Sequence, residues 1–69
     1  MSNVNDYHAT HERLTTAELA TELKRSPETL TRWRRLRIGP PYIRMQGRVL
    51  YDRQAVEAWL QAQSVGGDA

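Results

Sequence analysis

Arginine carries whatever chemistry this chain performs. Nine of its ten Lys and Arg residues (Lys24, Arg25, Arg32, Arg34, Arg35, Arg37, Arg44, Arg48 and Arg53) fall between positions 24 and 53, beside two acids, Glu28 and Asp52. That stretch has a net charge of +7, whereas the whole chain of 69 residues is only +2 because the flanking segments are acidic. A guanidinium is planar, permanently charged and forked, so it pairs with phosphate oxygens and with hydrogen-bonding base edges in two-pronged geometry. A basic block of this density faces a polyanion. The competing reading is a solvated surface of mixed charge, and the scarcity of acids in the block argues against it.

Other chemistry finds no residues to run on. Cysteine is absent, which excludes disulfides and thiolate metal sites. His8 and His11 are three apart beside Glu12, but the segment has no helical signal and no further ligand nearby, so a metal site is not expected. No Ser/His/Asp set, paired carboxylates or phosphate loop can be assembled. The acids sit at helix caps or on helix surfaces. The reading is of a protein that is not an enzyme and needs no cofactor. A chain of this size is one domain at most, with a core that is small for its surface. No apolar run approaches the ~18–20 residues of a membrane span, and Met1–Arg13 lacks the apolar stretch of a secretory signal. The expected setting is cytoplasmic, bacterial or phage-encoded, without membrane contact.

The elements that must position the arginines can be placed in order. Residues 1–13 show no apolar periodicity and read as a flexible N-terminal arm. Thr15-Thr16-Ala17-Glu18 has the form of a capping box, with Leu14 placed to staple onto Leu19. A first helix follows over 16–23, with Leu19, Ala20 and Leu23 on one face. Ser26-Pro27 opens a second helix, Ser as the cap and Pro at the first helical position, running over 27–36. Only Lys24-Arg25-Ser26 separate the two, which is helix-turn-helix spacing. Leu30, Trp33 and Leu36 are read as the buried stripe of helix 2. At ~100° per residue, Glu28, Thr31, Arg32 and Arg35 lie opposite, with Arg34 at the boundary. Ile38-Gly39-Pro40-Pro41 ends the helix.

Tyr42–Met45 and Arg48–Tyr51 flank Gln46-Gly47 and read as a hairpin; their alternation is too imperfect to set the register. Asp52 caps a third helix over 53–63, with Ala55, Val56, Trp59 and Leu60 on one face. Residues 64–69 read as a flexible tail. The fold class is small α+β: three helices, with a two-stranded β-hairpin wing between helix 2 and helix 3. The expected core is Leu14, Leu19, Leu23, Leu30, Trp33, Tyr51, Val56, Trp59 and Leu60, with part of the hairpin. The two tryptophans are assigned to packing rather than to base stacking.

A helix of this kind fits the DNA major groove. The arginines on its exposed face can fork onto guanine edges, with Thr31 and Glu28 as further base readers. The hairpin can carry Arg44 and Arg48 to the backbone or an adjacent minor groove.

Five separated segments then match one family in order: Leu14-Thr-Thr-Ala-Glu-Leu-Ala, Ser26-Pro-Glu-Thr-Leu-Thr-Arg-Trp-Arg, Gly39-Pro-Pro-Tyr-Ile-Arg, Gly47-Arg-Val-Leu-Tyr-Asp-Arg and Val56-Glu-Ala-Trp-Leu. Over residues 14–63 the chain resembles the MerR-like helix-turn-helix domains of phage excisionases and AlpA-type regulators. The resemblance implies a winged helix-turn-helix and sequence-specific binding of double-stranded DNA, with 27–36 as recognition helix and 42–51 as wing. It further implies either an excisionase (a recombination directionality factor acting with a tyrosine integrase) or a small transcriptional regulator. No effector or coiled-coil segment is read after helix 3, which favours excision.

Two departures stand out. The family turn often reads Leu-Gly-Val-Ser, where this chain has Leu23-Lys24-Arg25-Ser26; Lys24 must then adopt a left-handed backbone that suits Gly. The position before Tyr51 is often basic in the family, and here it is Leu50, either tucked into the core or exposed as a protein contact.

The expected DNA-binding set is therefore Glu28, Thr31, Arg32 and Arg35 for base readout. Lys24, Arg25, Ser26, Arg34 and Arg37 serve the backbone from the turn and helix, and Arg44, Gln46 and Arg48 from the wing. A single module reads few base pairs, so cooperative self-association on DNA or a partner protein is expected. The alternative from another class is a protein-interaction module that has kept the scaffold without DNA binding, docking through Met45, Leu50 and helix 3. RNA binding lacks the exposed aromatic platform that single-strand readers use.

Overall fold

A computed structural model describes residues 12–65 of the chain. Three strands and three helices follow in the order β1 (Arg13–Thr15), α1 (Thr16–Leu23), α2 (Pro27–Leu36), β2 (Ile43–Met45), β3 (Arg48–Asp52) and α3 (Arg53–Ala62). The three helices and the hairpin between α2 and α3 stand where the sequence places them, as a small winged helix-turn-helix. The expected arm and tail, apart from residues 12, 13, 64 and 65, lie outside the described residues.

The caps explain why the helices start where they do. Thr15 Oγ1 accepts from the Glu18 amide at 3.1 Å while Glu18 Oε1 accepts from the Thr15 amide at 2.9 Å, a closed capping box. Ser26 caps α2 through the Thr29 amide at 3.2 Å, and Asp52 caps α3 through the Ala55 amide at 3.2 Å. The helix ends are equally defined. Lys24 and Arg37 both adopt the left-handed conformation, with φ of 58° and 62°. Arg25 then donates its amide to the Ala20 carbonyl at 2.9 Å, and Ile38 donates to Trp33 at 2.9 Å. These are Schellman closures made without glycine. The strain expected at Lys24 is present, and Arg37 repeats it.

The sheet contains one strand that the sequence does not announce. β1 pairs antiparallel with β3, Leu14 opposite Tyr51, so the sheet order is β1-β3-β2 with β3 central. Arg13, expected in the arm, is thus a strand residue. Three residues carry too little periodicity to read as a strand, and the partner lies almost forty positions away. The hairpin register sets Ile43 opposite Leu50, Arg44 opposite Val49 and Met45 opposite Arg48. Gln46 and Gly47 both have positive φ, 49° and 80°, as a two-residue primed turn demands.

Strand alternation then sorts the side chains. Leu14, Arg44, Val49 and Tyr51 share the core-side face. Arg13, Thr15, Ile43, Met45, Arg48, Leu50 and Asp52 share the other. Leu50 is therefore half-buried on the outer face between Thr15 and Ile43, not inserted in the core.

The core is Leu14, Leu19, Ala20, Leu30, Tyr51 and Val56, with Leu23, Trp33 and Val49 packed against it. Two residues expected to be buried, Leu36 of the predicted stripe and Leu60 of the predicted core, are not. Leu36 is 58% exposed: two steps of three residues turn a helix through about 600°, which leaves Leu36 some 120° away from Leu30. Leu60 is 43% exposed, near the C-terminal end of α3. Trp59 is half-buried against Trp33, ring centroids 5.9 Å apart, and this pair joins α3 to α2. Both tryptophans are packing residues, as expected.

Gly39 locks the chain after α2. It has φ of 89°, and a Cβ there would stand 2.8 Å from Trp33 Cε3 and 3.2 Å from Trp33 Cβ. Gly47 has φ of 80° but open space around it. Gly39→Ala should therefore combine backbone strain of about 1–3 kcal/mol with a clash, whereas Gly47→Ala carries only the strain. Denaturant unfolding should rank Gly39→Ala below Gly47→Ala and both below the wild type; equal stability of the two variants would contradict the packing of Gly39 on Trp33.

Candidate nucleic-acid interface

The front of α2 is built as its periodicity requires. Leu30 is fully buried and fixes the helix rotation, which leaves Glu28, Thr31, Arg32 and Arg35 exposed on the far side. The turn residues Lys24, Arg25 and Ser26 are exposed, as are Arg37, Arg44, Gln46 and Arg48. Ser26 also has internal work, since its hydroxyl caps α2 and bonds the Thr29 hydroxyl at 3.1 Å.

Arg34 departs from the picture of a boundary residue reaching outward. It is half-buried, and its guanidinium is occupied within the protein. Nη1 donates to Tyr51 Oη at 2.7 Å and to Thr16 Oγ1 at 3.3 Å, and Nη2 donates to Thr31 Oγ1 at 3.3 Å. Its Cζ also stands 5.7 Å from the centroid of the Tyr42 ring. The helix geometry accounts for this: Arg34 is four residues beyond Leu30, about 40° from the buried stripe, and its long stem carries the head group back over the core. Arg34 is first a strut between α1, α2 and β3.

Tyr42 is the residue that the sequence reading missed. Arg44 Cζ also lies 5.7 Å from its ring, and the ring packs on Tyr51 at 6.1 Å. Arg34, Arg35, Arg37, Tyr42 and the Gly39–Pro41 loop line a groove of about 640 Å³ between the last turn of α2 and the base of the hairpin. The available signal was the ring itself: an aromatic two residues before an arginine in a strand lies on that arginine's face.

The structure thus joins Thr31, Arg34, Arg35, Arg37 and Arg44 into one continuous cationic surface around Tyr42. It separates Arg44 from Arg48, which alternate to opposite faces of the hairpin. Arg44 stands on the Tyr42 side of the hairpin, and Arg48 stands with Met45 on the outer face.

Arg53 leaves the basic block altogether. Its Nε donates to Glu12 Oε1 at 2.9 Å, and its terminal nitrogens fork onto Glu22 at 3.2 and 2.7 Å. Its amide donates to the Glu12 carbonyl at 2.9 Å. This triad ties the entry to β1, the last turn of α1 and the first turn of α3. Hydrogen bonds from the Arg53 guanidinium, reinforced by its charge, hold the Glu22 carboxyl below its ordinary value, while Glu22 and Glu12 raise the Arg53 pKa.

The expected weak candidate for metal binding, His8 with His11, lies outside the described residues. Among those described, no group of three or more His, Cys, Asp or Glu is placed to hold a metal ion, and no helix is long and apolar enough to cross a membrane.

A family model described as a helix-turn-helix domain matches residues 13–64, from the first residue of β1 to just past α3. No curated protein and no solved structure matches the chain.

The Glu22–Arg53 contact has a measurable pH signature. A carboxyl held below its ordinary value of 4.5 in the folded chain contributes stability that is present above that value. That stability is lost as pH falls through the folded value. Glu22→Gln removes the titration, so the stability gap between wild type and variant should narrow on acidification below pH 4.5. A gap that stays constant in urea melts across that range would show that the pair contributes no pH-linked stability.

Proposed function

Since the chain belongs to the helix-turn-helix domain family, we propose that it binds double-stranded DNA sequence-specifically, with α2 as the recognition helix. The observation that carries this reading is the division of labour on α2. Leu30 and Trp33 hold one side to the core, and Glu28, Thr31, Arg32 and Arg35 stand exposed on the other. An α-helix fits the major groove, and these side chains are of the types that read base edges there. Lys24 and Arg25 in the turn before α2, and Arg37 just after it, are placed to meet phosphates, which fix register without reading sequence. Arg44 extends the same cationic surface to the hairpin, and Gln46 and Arg48 stand at its tip.

Within DNA binding we propose one of two roles: an excisionase acting with a tyrosine integrase, or a small transcriptional regulator. A module of this size buries only about 600–1,000 Å² on DNA. Copies bound side by side, or a partner protein, supply the rest of the affinity and specificity. The outer face of the sheet, where Ile43, Met45 and Leu50 lie together beyond the core, offers apolar surface for such a protein contact.

A mobility-shift titration on duplexes flanking the gene and any nearby attachment site, at two salt concentrations with competitor DNA, tests the proposal. A discrete, competitor-resistant shift supports specific binding, and a ladder of shifts supports cooperative loading. No shift at low salt contradicts DNA binding and leaves the scaffold as a protein-interaction module. Arg32→Ala should lower affinity for the cognate duplex by about 1–3 kcal/mol and relax its specificity. Arg48→Ala should weaken all duplexes alike and flatten the salt dependence. The opposite pattern would exchange the roles of helix and hairpin.

A further inference from the structure

We propose that Tyr42 is a positioning residue for DNA recognition: its ring, set between Arg34 of α2 and Arg44 of β2, holds the wing arginine at a fixed place relative to the recognition helix. The inference rests on the DNA-binding reading and extends it to how two separate reading elements act as one.

The recognition helix and the hairpin are joined by the segment 37–42, and each carries part of the interface. The near end of that segment is fixed, because Gly39 packs on Trp33 and Pro40 is buried. At the far end the hairpin register, continued by one pair, sets Tyr42 beside Tyr51, and their rings lie 6.1 Å apart. Tyr51 is 1% exposed and does not move independently of the core. Arg34 is equally anchored, by its 2.7 Å bond to the Tyr51 hydroxyl. One side of the Tyr42 ring environment is therefore set by the core.

Arg44 has a different situation. It is exposed, on a strand of three residues next to the turn, and it enters no ion pair with a carboxylate among the described residues. The contact that defines its guanidinium is the Tyr42 ring, 5.7 Å away. A cation over an aromatic face is attracted by the ring quadrupole while its hydrogen-bond donors remain open to a second partner. Arg44 is thus pre-arranged beside the Tyr42 ring without being neutralised, and a long side chain already ordered loses less freedom on binding. An aliphatic residue at position 42 would keep the packing and lose this arrangement.

The test is a double-mutant cycle, Tyr42→Leu against Arg44→Ala, read as affinity for the duplex that the wild type shifts. Tyr42→Leu should weaken binding about three- to fivefold, the upper part of the range for an exposed cation–π contact converted to affinity. Arg44→Ala should then cost little more in the Tyr42→Leu background. Tyr42→Phe, which keeps the ring, should bind within about twofold of the wild type, as expected when the hydroxyl contributes no contact of its own. If Tyr42→Leu does not fold, pentafluorophenylalanine at position 42 keeps the shape and removes the negative ring face; it should bind as weakly as predicted for Leu. An additive cycle, or a fluorinated ring that binds like Phe, overturns this inference while the wild type still binds DNA. A wild type that shifts no duplex overturns the DNA reading and this inference together.

Discussion

The bond from Arg34 to the Tyr51 hydroxyl is the constraint around which the rest of the molecule is arranged. Tyr51 lies on the central strand and is almost fully buried, so its hydroxyl must find a partner inside the protein or leave a polar group unpaired. The partner is a guanidinium from α2, which in turn needs acceptors and finds them in Thr16 of α1 and Thr31 of its own helix. One half-buried cation thereby ties α2 to the first helix and the sheet. It does so without a carboxylate, so the positive charge is preserved beside the surface proposed to meet DNA. A structural arginine that was itself ion-paired would have cancelled part of that field.

Charge is segregated by the same economy. Within the basic stretch Arg53 is ion-paired, and its partners Glu12 and Glu22 stand at the entry to β1 and on α1, away from the front of α2. The triad closes the chain where β1, α1 and α3 meet and withdraws one cation from the basic stretch. What remains, from Lys24 through Arg37 to Arg44, borders α2 and the groove beside it. A modest net charge thus coexists with a strongly cationic face, which is the condition for attraction to a polyanion without non-specific adhesion over the whole surface.

Much of this was legible in the residues because it is local. Capping boxes, Ser-Pro starts, primed-turn glycine and the apolar rotation of α2 act over three or four positions, and each placed its element correctly. What escaped depends on distant partners. β1 exists because Leu14 pairs opposite Tyr51, and no pattern within Arg13–Thr15 announces it. Arg34 turns inward because Tyr51 is there to receive it, and Arg53 turns aside because Glu12 and Glu22 are. Leu36 and Leu60 fell out of the core for different reasons. One was a drift in helical phase, and the other lies near the C-terminal end of α3. Tyr42 was overlooked because its significance lies in two arginines, one eight residues away on another element and one two residues on.

The measurement that goes most directly to the central claim is an amide-resolved NMR titration of the labelled protein with the duplex it shifts. Perturbations should concentrate on residues 24–37 and 42–48, on the front of α2, the turn and the Tyr42 side of the hairpin. The Glu22–Arg53 corner and the end of α3 should stay unchanged. Perturbations centred on α3 or on the outer sheet face, with the front of α2 silent, would contradict it.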